Sequence, residues 1–212
     1  MKPAYVAPDP ASGRVGDAAY AAAWARAHEL PAESPAYRRQ YADVVLLDAL
    51  MQEGYRLLDV GCGTAGYHRI LARHGEVHGI DPIPEMIAIA NRFAADFGVR
   101  GARYSCCTFE DLPSEPRYDA IRMTGTFGWY RPWPGQEPIL TKARSLLRAG
   151  GVIAVSYVPA DSPLGLAKAL LAPGRTVAIR RNRFARMLAA AGFDPLLDLR
   201  VGPSVVVLAQ AV

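Results

Sequence analysis

The residues best placed to do chemistry lie together at Asp59-Val60-Gly61-Cys62-Gly63-Thr64-Ala65-Gly66. An apolar run through Leu57 and Leu58 ends in an acid and a glycine-rich turn, and a helical stretch, Ala65 to His74, follows. Strand, glycine turn and helix is how a parallel α/β sheet builds a site for a nucleotide-like ligand. The glycines let the backbone approach where a Cβ would collide. The helix start offers free N–H groups beside the ligand. Gly61, Gly63 and Gly66 satisfy G-x-G-x-x-G, which is a weak signal alone. Asp59, two residues before Gly61, discriminates between ligands. A carboxylate there repels a diphosphate and suits a ligand that carries positive charge and no phosphates. Asp81, at the end of the next apolar run, can accept both hydroxyls of a ribose. It can equally cap the helix that begins at Pro84.

These positions need elements to hold them. Strands are expected at Tyr55–Val60, Glu76–Ile80, Ala102–Cys106, Tyr118–Met123 and Val152–Val158. Between them the pattern predicts helices at Ala65–His74, with Gly75 as its stop, at Pro84–Phe97 and at Gln136–Arg148. Met86, Ile87, Ala90 and Phe93 give the second of these a buried face, and Gly98 ends it. The third ends at Gly150-Gly151. Residues 159–176 read as irregular or partly helical. A helix at Asn182–Ala191 ends at Gly192, and Phe193–Val201 and Ser204–Ala209 read as two strands around Gly202-Pro203. Five βα steps followed by a short-turn strand pair predict one antiparallel strand at the sheet edge. Upstream, residues 1–15 form a loose arm. Helices are expected at Asp17–His28 and Pro35–Met51, the latter placing Tyr37, Tyr41, Val44, Val45 and Asp48 at helical spacing.

With 212 residues, 51% hydrophobic and 21% charged, the chain has room for one α/β domain with a sizeable core. No apolar run approaches the roughly 20 residues of a membrane span. Met1 to Pro10 lacks the apolar core of a signal peptide. Cys62, Cys106 and Cys107 make neither a disulfide framework nor a C-x-x-C metal spacing, which points to a reducing, cytoplasmic setting and to no metal. The pair Cys106-Cys107 is expected on and just past a strand as small core hydrophobes. A net charge of +4 is too small to establish a nucleic-acid binder.

Asp59 to Gly63 resembles the first motif, (D/E)-x-G-x-G-x-G, of the class I S-adenosylmethionine-dependent methyltransferases, with Ala65 at the third glycine and Gly66 one place later. Glu110-Asp111-Leu112-Pro113 resembles the family segment D-x-E-D-L-P, with Thr108 in place of its first acid. Arg148-Ala149-Gly150-Gly151 resembles the turn L-(R/K)-P-G-G. The motifs cover Tyr55 to Gly151, and the remainder agrees by architecture. The resemblance implies a single Rossmann-like three-layer α/β domain. Its seven-stranded, mostly parallel sheet has the order 3-2-1-4-5-7-6, with the last strand antiparallel. Residues 1–52 supply an arm and lid helices, and 53–212 the methyltransferase domain. The implied cofactor is S-adenosylmethionine, with S-adenosylhomocysteine as product. Asp59, Gly61, Cys62 and Gly63 form its turn, and Asp81 and Pro82 its ribose end. Thr108 accepts the adenine amino group, the Phe109 N–H meets a ring nitrogen, and Thr124 and Gly125 lie beside the methionine half. Ile83 and Met86 either cover the adenine faces or are ordinary core.

For the methyl acceptor, Phe127, Trp129 and Trp133 are candidates on one segment, with Tyr20 and Trp24 on the lid. Tyr20, Trp24 and His28 share a helix face. Tyr20, His28 and Tyr130 are weak candidates for a base, and no residue demands that role. His68, His74 and His78 are scattered and read as surface groups or as support behind the site. Arg175, Arg180, Arg181, Arg183 and Arg186 could grip a phosphate or carboxylate, or form a solvated helix face. The (N/D)-P-P-(Y/F) motif, frequent in relatives that methylate amides or nucleic-acid bases, is absent. A small-molecule acceptor with an O, N or C nucleophile is therefore expected, with no membrane partner and nucleic acid disfavoured. The alternatives are an RNA or protein acceptor, a non-catalytic S-adenosylmethionine binder and, remotely, an NAD-dependent oxidoreductase.

Overall fold

A strand buried on both faces must be apolar almost throughout, and Leu57, Leu58 and Val60 meet that demand in β1 (Tyr55–Val60). The computed structural model describes residues 35–113, 115, 118–129, 136–163, 165, 166, 178–202 and 204–212, with the side chains of all but 35–40 and 129. These residues divide into two compact units at Asp111/Leu112.

In the first unit, β1 pairs in parallel with β2 (Gly75–Asp81), which pairs in parallel with β3 (Ala102–Cys106). Three helices accompany them: α1 (Pro35–Leu50), α2 (His68–Leu71) and α3 (Pro84–Asp96). Pro84 starts α3 at a position where its missing N–H costs nothing. Gly98, at φ 62°, ends it. Met86, Ile87 and Ala90 are buried on α3, while Phe93 is half-buried against Phe97. On α1, Val44 and Leu47 are buried and Val45 is exposed.

In the second unit, β4 (Tyr118–Met123) pairs in parallel with β5 (Leu147–Tyr157). A 3₁₀ turn (Phe127–Trp129) and α4 (Gln136–Leu146) lie between them in sequence. Then come α5 (Arg181–Ala190), β6 (Phe193–Val201) and β7 (Ser204–Ala211). β7 runs antiparallel to both β5 and β6. The core of this unit gathers the rings of Phe127, Tyr157 and Phe184. The seven strands are ordered β3-β2-β1-β4-β5-β7-β6, the Rossmann-like order that the resemblance implies. No helix among the described residues is long and apolar enough to cross a membrane.

Three expectations are corrected. The helix after the glycine turn is a single turn, His68–Leu71, and Gly75 opens β2 instead of stopping a helix. Gly75 is the β-partner of Tyr55, and a Cβ on it would come within 2.8 Å of Tyr55 Cγ. The Tyr55 hydroxyl donates to the Leu71 carbonyl at the helix end. The helix from Gln136 ends at Leu146, not Arg148, because Leu147 already pairs with Tyr118. The following Arg148-Ala149-Gly150-Gly151 is a bulge inside β5, with Gly150 at φ 73° and its carbonyl bound by Gln210. Cys106 is exposed and Cys107 half-buried, so the pair is not core. β3 is an edge strand and leaves them one open side.

Candidate functional site

Gly61 at φ 71° and Gly63 at φ 55° occupy left-handed backbone at the tip of β1, and Ala65 does so at φ 59°. The Gly61 and Cys62 amides both donate to the Ile80 carbonyl, at 2.8 and 3.0 Å. The turn is thereby tied to the end of β2, where Asp81 stands. Asp81 Oδ2 accepts the Gly63 amide at 3.1 Å, and Oδ1 accepts the Ile83 amide at 3.0 Å. Each carboxylate oxygen has two acceptor sites, so each retains one for a further donor. Burial pushes the Asp81 carboxyl up to about 6, against the pull of those two amides and with a further push from Asp59.

Asp59 itself is fully buried. Its Oδ2 meets His68 Nε2 at 2.9 Å, and His68 Nδ1 meets the Tyr104 hydroxyl at 3.2 Å. The His68 and Tyr104 rings stack with centroids 5.4 Å apart. Gly79 makes room for this: a Cβ there would come within 2.9 Å of Cys62 Sγ, His68 Cε1 and Tyr104 Cδ1. Asp59 is thus enclosed among its own protein partners. His68 is an interior group, correcting the surface option for it. His78 is buried as well, bonded to Ser105 Oγ at 2.9 Å. Only His74, beside Glu53, is exposed among these three. Neither Lys nor Arg occurs from Leu57 to His68. Two acids and no cation oppose a diphosphate, whereas the two retained acceptor sites on Asp81 match the two hydroxyl donors of a ribose.

Residues 57–151 match the family model of the methyltransferase domain. That stretch is a methyltransferase domain. Over 108 residues the chain is 33% identical to the ubiquinone biosynthesis O-methyltransferase of Xylella fastidiosa strain M23, covering 50% of this chain and 42% of the relative. Over 65 residues it is 40% identical to the 23S rRNA (uracil(1939)-C(5))-methyltransferase RlmD of Shewanella amazonensis, covering 30% of this chain and 15% of the relative. The chain therefore spans less than half the length of these curated relatives. Among solved structures it resembles the magnesium protoporphyrin IX methyltransferase of Synechocystis PCC 6803 with bound S-adenosylhomocysteine. The TM-score there is 0.71 at 18% identity, over 89% of this chain and 92% of that one, a likeness of fold.

Within the methyltransferase domain, Ile83 and Met86 form one buried cluster with Ile89 packed on it, so both are core in this structure. Cys62 is buried and Pro82 half-buried. The Thr108 hydroxyl donates to Asp111 Oδ2 at 2.6 Å, which leaves its oxygen lone pairs as acceptors. The Phe109 side chain is buried. In the second unit, Thr124 is half-buried at the end of β4, and the exposed Gly125 donates its amide to Ser156 Oγ at 2.8 Å. Phe127 corrects an expectation: it is fully enclosed, edge-on to Phe184 at 5.6 Å, and so is core and not a substrate-facing ring. Tyr20, Trp24, His28, Tyr130, Trp133, Arg175 and the Trp129 side chain lie outside the described residues. The pairing of Asp59 with His68 escaped sequence reasoning.

Proposed function

We propose that this chain is an S-adenosylmethionine-dependent methyltransferase acting on a small-molecule acceptor. The observation that carries this reading is the Asp81 carboxylate, pinned between the Gly63 and Ile83 amides with one acceptor site left on each oxygen. The family match over residues 57–151 supports it.

Bound S-adenosylmethionine supplies a methyl group already activated on a sulfonium. The chain's part is to bind and orient. Asp81 accepts the ribose hydroxyls. Gly61 and Gly63 bring backbone close to the ligand without a Cβ. Thr108 accepts the adenine amino group, while its own proton is committed to Asp111. Asp59 lends the turn a negative field that favours a cation. Thr124 and Gly125 keep the place beside the methionine half that the resemblance implies, and residues 1–52 the place of arm and lid. Alignment alone can contribute about 7–11 kcal/mol to such a displacement, so the absence of a compelling base is compatible with the reaction. Three free thiols support a reducing, cytoplasmic setting. The match to the rRNA enzyme favours RNA as the second reading for the acceptor, and the missing (N/D)-P-P-(Y/F) motif weighs against it.

Calorimetric titration with S-adenosylmethionine tests the cofactor reading. Asp81→Ala is expected to weaken binding about ten-fold or more, on the scale of hydrogen bonds to a charged group. Unchanged affinity would remove Asp81 from the site. Transfer of labelled methyl to small molecules but not to RNA tests the acceptor.

A further inference from the structure

A cavity of about 460 Å³ opens in the second unit, lined by Gln136, Arg180, Asn182, Arg183 and Arg186 together with Ala160 and Ile179. Its position is set by β5. Past the end of that strand, Ile179 donates its amide to the Val158 carbonyl at 3.2 Å and accepts the Ala160 amide at 3.0 Å. The cavity therefore sits beyond the carboxyl end of β5. β4 runs parallel to β5, with Met123 opposite Val155, so the Thr124-Gly125 turn leaves the same edge of this unit. Carboxyl ends of parallel strands are where such sheets take ligands, and the volume is that of a small-molecule site.

The lining has a definite chemistry. Three arginines line it, and no acid does among the described residues. The N-terminal turn of α5 (Arg181–Ala190) points its positive end to the same place. Arg180 caps it without a side-chain hydrogen bond, and its first turn holds no acid. The second, independent observation is Gln136. It is 1% exposed, and its Nε2 has no hydrogen-bond partner. A buried amide donor without a partner costs about 1–3 kcal/mol, which is tolerable where a ligand supplies the acceptor.

We infer that this cavity binds an anionic group, carboxylate or phosphate, on the methyl acceptor, with Arg183 and Arg186 as charge partners and Gln136 Nε2 as a neutral donor. This rests on the proposed methyl transfer and narrows its acceptor to an anionic small molecule.

The test uses the full chain with inorganic phosphate, benzoate and the neutral benzamide as probes, followed by calorimetry and thermal shift at constant ionic strength. Phosphate or benzoate is expected to bind and benzamide not, and the stronger of the two anions identifies the group. Charge reversal in Arg183→Glu/Arg186→Glu is expected to weaken the anion at least about ten-fold and leave S-adenosylmethionine affinity unchanged. Gln136→Leu separates binding from structure: it is expected to weaken the anion while leaving the unliganded protein equally or more stable, since it deletes a donor that has no partner. No anion binding, equal binding of benzamide, or insensitivity to both variants would overturn the inference. Loss of S-adenosylmethionine binding by the parent protein would instead overturn the cofactor reading, which the anion titration does not touch.

Discussion

His68 Nε2 lies 2.9 Å from Asp59 Oδ2, and neither side chain reaches solvent. The pair joins the single turn of α2 to the end of β1, so it fixes the exit of the glycine loop. Removing one member of a buried hydrogen-bonded pair leaves the other's polar atom without that partner, which costs more than the bond itself contributes. His68→Ala is expected to lower unfolding free energy by about 3 kcal/mol, read from the urea midpoint. His68→Asn, which restores a donor, is expected to recover part of the loss. A shift below about 1 kcal/mol in His68→Ala would mean the histidine carries no such burden.

The same cluster makes Gly79 indispensable for want of space. A methyl group at this position would strike Cys62, His68 and Tyr104, each at 2.9 Å. Relief requires unstacking His68 from Tyr104 or shifting β2, the strand that also carries Asp81. Gly79→Ala is therefore expected to cost about 1–3 kcal/mol, as overpacking does. It is also expected to weaken S-adenosylmethionine binding by displacing Asp81. Parent-like melting together with parent-like affinity would contradict this account.

The strands at Tyr55–Val60 and Tyr118–Met123 could be read from sequence to the residue, because buried parallel strands are largely apolar runs closed by turn residues. The antiparallel ending was legible for a similar reason, since a two-residue Gly-Pro connection cannot make a crossover. The turn after β1 was not. Nothing in Tyr67-His68-Arg69 announces that a hydroxyl from Tyr55 and a carboxylate from Asp59 will take over where helical bonds stop. Ile83, Met86 and Phe127 were ambiguous in principle: apolar side chains that would line a ligand and those that line a core are the same residues. Gln136 illustrates the opposite failure, a polar side chain whose burial depends wholly on elements distant in sequence.

Two buried groups titrate in the same range with opposite consequences. Asp81 rises from 3.8 to about 6, chiefly through burial. Its contribution to stability is full below about pH 4 and is lost as pH rises through 6, by about 3 kcal/mol. His78 falls from 6.5 to about 4, through burial and then Arg103. Its contribution is full above pH 6.5 and is lost as pH falls toward 4. In the parent the two trends offset between about pH 4 and 6. Urea unfolding across that range is expected to show stability rising with pH in Asp81→Asn, where the His78 contribution is no longer offset by Asp81. In His78→Asn it is expected to fall with pH. Identical slopes in parent and both variants would contradict the assignments.

Ala65 holds the place of the third glycine in the turn and adopts left-handed backbone of the kind glycine favours, at φ 59° with 1% exposure. An L-residue there bears about 1–2 kcal/mol of strain, while its buried methyl returns about 0.8 kcal/mol. The backbone is held by hydrogen bonds on both sides, from the Ala65 amide to the Cys62 carbonyl and from the His68 amide to the Ala65 carbonyl. A change of side chain therefore cannot be absorbed by re-forming the turn. The expected order of unfolding midpoints is Ala65→Gly at or slightly above the parent, and Ala65→Val well below both, since a β-branched side chain tolerates this region least. If glycine instead lowered stability by more than about 1 kcal/mol, the methyl's packing would outweigh the strain. The alanine would then be a positive feature of this loop and not a tolerated departure from its motif.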